Sequence, residues 1–453
     1  MLKPGQRDLY ADALRAGALL VVVLAHWLAT RPQLEDGRLL ATGHLLGQWP
    51  PADALTWLVQ VVPVFVFVSG AVSVPGVLAR LAGRQQQRHW WAGRALALAR
   101  PAVTYLALLA ALALVAQVTG GRLLAAFNQS LTIHLWFLPM LLAVQALLPW
   151  AVRADRRFGL RAVAALVLLA ALADLIRAGI TSPAQLAQLG ARVSAAPPGI
   201  GWLNLLVVWL IPQQLGIAWQ QSRLAGARAG AGLLALAVVW LVLATSSGYP
   251  VAMVGVTLAG NNMLPPSLAL IGVIWLQVAL VLLCERPARR FLARHQATRV
   301  IAIAAALGMP LYLWHKLAEL PAAWLAESLL RVLERGAQSA SDAGVIAAIA
   351  GGLAAALAAP GPEAPGFWLG RVLWLVLCAL MVAPVLAAVV GFERSRRPRR
   401  EPADALLPVL AGAVALFAGL IVAMALGVMP GGLIGLVGVV AASWLLRAHP
   451  QPR

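Results

Sequence analysis

Few side chains in this chain could move a proton or act as a nucleophile, and they stand in apolar surroundings. Arg15 and His26 lie eleven residues apart in one apolar run, Leu9 to Thr30. At about 100° per residue, eleven steps close three turns with about 20° to spare. The two side chains therefore share one helix face, about 16 Å apart along the axis. Asp12 is one turn before Arg15 on that face and can pair with it. An imidazole titrates near neutrality and can serve as general base or as nucleophile. A guanidinium suits phosphate recognition. The same spacing also fits a packing ion pair followed by an interfacial histidine.

Two further histidines sit in comparable places. His134 opens HLWFLP (His134 to Pro139), and His315 falls near the end of LYLWHK (Leu311 to Lys316). By the same rise per residue, His26, His134 and His315 reach one outer level. With Asp174 and Asn204 in outer halves of their runs, they point to a polar cavity rather than to isolated interfacial residues. Metal binding is not expected, because no His-x-x-x-His or carboxylate spacing accompanies them. Arg94 and Arg100 precede the third apolar run and could bind an anionic ligand, or simply belong to a basic loop. Gln213 and Gln214 mark the inner end of the sixth. There is no glycine-rich phosphate loop and no GxSxG elbow.

The elements that must hold these groups are transmembrane helices. The chain has 453 residues, 61% hydrophobic and 11% charged, with mean hydropathy +0.84; most side chains must be solvated by lipid. Apolar runs fall near 9–30, 55–79, 101–119, 132–152, 162–178, 199–220, 231–247, 264–284, 300–320, 367–391, 403–426 and 430–447. The expected fold is all-α: a polytopic integral membrane protein with a ten-helix body and two additional C-terminal helices. The net charge of +19 would suit nucleic acid, but the basic clusters follow every second run, as in cytoplasmic loops. Both termini are then cytoplasmic and no nucleic-acid partner is expected. The two cysteines, Cys284 and Cys378, form no framework. Asp12 and Arg15 make the first run a retained helix rather than a signal peptide. The division expected is a membrane domain over 7–392, a basic cytoplasmic linker at 393–402, and two helices with a tail over 403–453. The stretch 321–366 reads as a long external loop, with Val345 to Ala359 non-spanning or partly embedded.

The motifs taken together resemble the membrane acyltransferase family 3. RDLYADALRAGALLVVVLAHW (Arg7 to Trp27) is similar to the family's first helix, whose hallmark is Arg, ten residues, then His. VPVFVFVSGA (Val62 to Ala71) resembles its Phe-rich Ser-Gly motif. WWAGRALALARP (Trp90 to Pro101) resembles its basic entry to the third helix. HLWFLP and LYLWH resemble later signatures. YPVAMVG and NNMLPPSLAL (Tyr249 to Gly255, Asn261 to Leu270) resemble a variant of actinobacterial members. The likeness runs in family order from about 7 to 392 and leaves out the last two helices.

That resemblance implies an O-acyltransferase of the cell membrane and no bound cofactor. Acyl-CoA, acetyl-CoA first, would be the cytoplasmic donor. The acceptor would be a hydroxyl of an extracytoplasmic glycan or lipid-linked molecule. His26 would be the catalytic histidine, as base or acyl carrier, and Arg15 its partner in the motif. Asp12, His134, Asn204 and His315 would support them, and Arg94 and Arg100 would serve the donor. The chain departs from the usual Asp-Gly-Leu before Arg15, reading Ala11-Asp12-Ala13-Leu14. A twelve-helix transporter or glycan exporter is the competing class, but such folds repeat their halves and these motifs are unrepeated. A polytopic glycosyltransferase would place acidic residues in the first external loop. Glu35 and Asp36 stand there beside Arg31 and Arg38, which fits a solvated loop.

Overall fold

The computed structural model describes residues 8–35, 37–46, 48–79, 83–255, 261–294, 297–339, 344–395 and 401–447. Lys3, Arg7, Asp36, Arg80, most of the basic cluster after Arg394 and the C-terminal tail lie outside them.

Lipid demands that every backbone N–H and C=O in a span be bonded within its own segment, so the apolar runs become helices. In chain order the first are α1 (Leu9–Ala29), α2 (Pro50–Val59), α3 (Val62–Leu78) and α4 (Arg84–Thr119). Then come α5 (Phe137–Ala146), α6 (Leu148–Phe158), α7 (Arg161–Ala178), α8 (Asn204–Gln220) and α9 (Gly226–Ser246). The last are α10 (Leu268–Arg294), α11 (Thr298–Trp314), α12 (Glu319–Ser339), α13 (Gly344–Ala358), α14 (Phe367–Ser395), α15 (Leu406–Leu426) and α16 (Leu433–Leu445). Among the described residues, eight stretches are long and apolar enough to cross a membrane, or ten with two bent pairs included. The twelve runs read from sequence match these once two others are added. One is α7, an apolar helix that carries Arg161, Asp174 and Arg177. The stretch Leu406–Leu445 is two helices, since Met429 leaves helical geometry between α15 and α16.

Two differences from the sequence reading matter for the site. After α1 the chain forms an antiparallel hairpin, β1 (Thr30–Glu35) and β2 (Arg38–His44), with Arg31 opposite Gly43. Gly37, at φ +66, lies in its turn. The stretch read as an external loop holds α12 and α13, α12 turning 70° from α11. α12 is amphipathic, with Arg331, Glu334 and Arg335 on its partly or fully exposed side, so it lacks the sustained hydropathy of a span.

The chain divides into two compact units, each described by itself. Unit 1 comprises 1–22, 50–87 and 140–308. In it α3 lies against α8 at backbone distance: a Cβ on Gly216 would stand 2.0 Å from the Phe67 carbonyl oxygen, and one on Gly70 2.8 Å from that of Gln213. The Ser-Gly motif thus works as a packing device, with Ser69 Oγ accepting from Gln145 Nε2 at 2.9 Å. Asn262 Nδ2 donates to the Pro250 and Ala252 carbonyls at 2.7 and 2.9 Å, clasping the loop that carries YPVAMVG and NNMLPPS. Asp8 takes a bidentate Arg289 guanidinium at 2.8 and 2.9 Å. Burial alone would raise its carboxyl, but Arg289 and the Ala11 and Tyr10 amides hold it below the usual value.

Unit 2 comprises 23–49, 88–139 and 309–453. α12, α13 and α14 pack on one another. Glu327 of α12 is buried and accepts from the Leu39 amide at 2.6 Å and from Arg122 at 2.7 Å, which ties the hairpin down. α15 and α16 form a close pair. Asn128 Oδ1 accepts from the amides of Val428 and Met429 at 2.8 and 3.1 Å, at the break between them.

Candidate active site

The end of α1, the short 3-10 turn His134–Trp136 and the bend between α11 and α12 meet within unit 2. They bring three imidazoles together. His26 Nδ1 is 2.9 Å from His315 Nε2, with the rings stacked at 5.1 Å and 28°. The His134 ring stands edge-on to His315 at 5.3 Å and 71°. His134 and His315 are buried, at 1% and 0% exposure, whereas His26 is partly exposed. Of the three, His26 is the residue with the largest exposed fraction.

The hydrogen bonds set the tautomers. His315 Nδ1 is 2.6 Å from the Tyr312 carbonyl oxygen. A carbonyl only accepts, so Nδ1 carries the proton and Nε2 of the neutral ring holds a lone pair. His26 must then donate from Nδ1 to it. The lone pair of His26 is left on Nε2. By the same logic His134 donates from Nε2 to the Leu313 carbonyl at 3.1 Å. Its Nδ1 is a buried acceptor with no hydrogen-bond partner among the described residues.

Rigid neighbours hold these rings. Trp27 Nε1 donates to the His315 carbonyl at 3.1 Å, Tyr312 Oη to the His134 carbonyl at 2.5 Å, and Tyr105 Oη to the Leu131 carbonyl at 2.6 Å. The Tyr105 ring meets His134 edge-on at 5.5 Å. Beside them Lys316 Nζ donates to Glu319 at 2.8 Å and to Thr30 Oγ1 at 2.9 Å, a buried ion pair. Trp374 Nε1 and Arg371 Nη2 donate to the Trp27 carbonyl at 3.0 and 3.4 Å, satisfying the open end of α1. Among the described residues no group of three or more His, Cys, Asp or Glu is placed to hold a metal ion.

The geometry therefore gives an imidazole, on a partly exposed residue, whose basic nitrogen is fixed by a second, buried imidazole. The family profile described as an acyltransferase domain matches residues 8–390. The chain belongs to the membrane acyltransferase family 3. It is a membrane acyltransferase, an enzyme that transfers acyl groups other than aminoacyl groups. No curated protein and no solved structure matches it.

The other residues singled out in the sequence of this acyltransferase are distributed as follows. Arg15 is bonded to Asp12 at 2.9 Å, on the same helix as His26 and eleven residues before it. Asn204 belongs to unit 1, where its Nδ2 donates to Asp174 at 3.1 Å. Asp174 also accepts from Tyr249 Oη at 2.8 Å and the Leu268 amide at 3.0 Å, and Asn204 Oδ1 is buried without a hydrogen-bond partner among the described residues. Arg94 lies over the Trp90 ring at 5.0 Å. Arg100 is partly exposed, and its Nε has no hydrogen-bond partner among the described residues.

Sequence reasoning passed over several groups that surround the histidines. His44, at the end of β2, is close enough to His26 for their charges to couple. Burial, with Lys316 adding, pushes its imidazole down to about 4. Arg371, Trp374 and Glu319 also escaped notice. The one signal that could have found Arg371 is a lone arginine within an otherwise apolar span, since such a charge seldom stands there without a function or a partner.

Proposed function

We propose that this acyltransferase moves an acyl group, acetyl first, from cytoplasmic acyl-CoA to a hydroxyl of an extracytoplasmic glycan or lipid-linked acceptor, with His26 as general base. The observation that carries the proposal is the 2.9 Å contact of His26 Nδ1 with His315 Nε2. His26 Nε2 takes the acceptor hydroxyl proton as that oxygen attacks the thioester carbonyl. The tetrahedral intermediate collapses, the C–S bond breaks, and the Nε2 proton passes to the departing CoA sulfur. During the first step His26 becomes an imidazolium, and its Nδ1–H donates a charge-assisted hydrogen bond to His315. His315 is thus a positioning residue. His134, an acceptor at Nδ1, suits orienting a second hydroxyl of the acceptor. Arg15, three turns earlier on α1, would serve the anionic donor.

The test is purified protein with labelled acetyl-CoA and a panel of cell-surface glycans. His26→Ala should abolish transfer while the protein stays folded; full activity in that variant would remove the proposal. Label trapped on His26 in the absence of acceptor would replace the base with an acyl carrier.

A further inference from the structure

α15 and α16 lie beyond the acyltransferase domain, which ends at residue 390. The end of α16 nonetheless returns to the first half of α4, within unit 2. Pro402 pairs with Arg447 in an isolated antiparallel bridge, and the Ala403 amide donates to the Leu446 carbonyl at 2.8 Å. The Pro402 ring in turn meets α4, since a Cβ on Gly93 would stand 3.4 Å from its Cγ. These ties bring Arg447 to α4, and its guanidinium is near enough for its charge to act on Arg100.

Two cations side by side and withdrawn from water are costly unless an anion compensates them. Nε of Arg100 and Nε of Arg447 are each buried without a hydrogen-bond partner among the described residues. Neither arginine has an ion pair with a carboxylate among those residues, although Glu401 and Asp404 stand on the adjoining stretch of chain. One turn before Arg447, on the same face of α16, Ser443 is 7% exposed and its Oγ has no partner either. A snorkelling arginine spreads its five donors in water; these two hold Nε out of it, beside a like charge. Both residues are partly exposed all the same, so a ligand can reach them. Trp444 is 59% exposed and Trp90 opens α4, aromatic anchors of the kind that mark headgroup depth.

We propose that Arg100 and Arg447 together bind one phosphate group, borne by an anionic lipid headgroup or by CoA. Basic sites between spanning helices at headgroup depth take phospholipid phosphates, and planar guanidinium groups match a phosphate in bidentate fashion. The lipid source is independent of the acyl-transfer reading above; the CoA source rests on it. Either source gives α15 and α16 a task, because they supply the second cation to a site on the domain that precedes them.

The experiment is isothermal titration of the full-length protein, in an uncharged detergent, with dioctanoyl phosphatidylglycerol, CoA and dioctanoylglycerol. The last has the acyl chains of the first and no phosphate. At least one phosphate probe should bind about tenfold or more tighter than dioctanoylglycerol, the range of a charge-assisted hydrogen bond. A tighter phosphatidylglycerol would assign the headgroup, a tighter CoA the donor. Arg447→Gln, whose bridge to Pro402 is made by backbone, should bring that probe within about twofold of dioctanoylglycerol, as should Arg100→Gln. Arg156→Gln removes an exposed arginine at the end of α6 and should change nothing. Equal binding of all three probes would overturn the proposal. So would an Arg447→Gln variant that binds both phosphate probes within about twofold of wild type, or an equal loss in Arg156→Gln. Phosphatidylglycerol binding that needs Arg447, without any acyl transfer by wild type, would sink the functional reading alone. Acyl transfer with phosphate binding untouched by Arg447→Gln would sink this one alone.

Discussion

His315→Phe isolates the contact on which the mechanism stands. Phenylalanine keeps an aromatic ring of similar size in the stack with His26, at 5.1 Å in the wild type, but removes the acceptor 2.9 Å from His26 Nδ1. A hydrogen bond to a charged group contributes about 1.5–3 kcal/mol, and it reaches that strength only once His26 is protonated in the transition state. At about 1.4 kcal/mol per factor of ten, kcat should fall about 10- to 150-fold, with KM for acyl-CoA nearly unchanged. His26→Ala removes the base itself and should cost about 10²- to 10⁴-fold. Since His315 acts through His26, the double variant should be no slower than His26→Ala. The assay is steady-state release of CoA thiol from purified protein, with thermal unfolding as a control for folding. A kcat within twofold of wild type in His315→Phe would refute the reasoning. So would a double variant whose losses multiply.

Other perturbations should be read elsewhere in the molecule. Gly216→Ala places a Cβ 2.0 Å from the Phe67 carbonyl oxygen; α3 and α8 must separate, at a cost of about 1–3 kcal/mol or more, and an unchanged midpoint in thermal unfolding would contradict this. Asn128→Ala strips the side-chain acceptor from the Val428 and Met429 amides, leaving Val428 only the Asn128 backbone carbonyl at 3.3 Å and costing about 1–3 kcal/mol for the Met429 donor; limited proteolysis should cut the segment between α15 and α16 sooner. His44 should make stability depend on acid. Its folded imidazole is held down to about 4 by burial and by Lys316, against an ordinary 6.5. Between those values the unfolded chain binds the proton and the folded one does not. The stabilisation is complete above pH 6.5 and is lost as pH falls toward 4, by up to about 3 kcal/mol. His44→Gln should flatten that slope, measured by unfolding at pH 4.5 and 7. Arg15→Ala should chiefly raise KM for acyl-CoA, whereas loss of folded protein alone would show Arg15 to be the packing partner of Asp12.

What the sequence made legible was whatever repeats with helical period or stands out from lipid. Three histidines at one level, each in an apolar run, were enough to anticipate their meeting, because a helix turns fixed spacings into fixed depths. The hairpin 30–44 was not legible. Its strands carry Arg31, Gln33, Glu35 and Arg38 among apolar residues and read as a polar loop, and its order comes from Glu327 on a distant helix. α12 escaped for the opposite reason, its charges being spread over a helix too polar to count as a span. The clustering of His44 and Arg371 around the site depends on contacts across 300 residues of sequence, which no local pattern encodes. Asn204 was legible as an intramembrane amide, but not its bond to Asp174, which lies thirty residues away on another helix.

The Asn128 clasp carries a lesson for anyone shortening or grafting this protein. The asparagine lies six residues ahead of His134, on the same short stretch of chain, and its carbonyl side chain is shaped to the backbone of Val428 and Met429. Removing α15 and α16 would strand that side chain immediately upstream of the turn that carries His134. Conversely, transplanting α15 and α16 onto a shorter relative would succeed only where a residue with the same acceptor stands at that station. Truncation at 402 is therefore a design decision about the histidine cluster as well as about the tail.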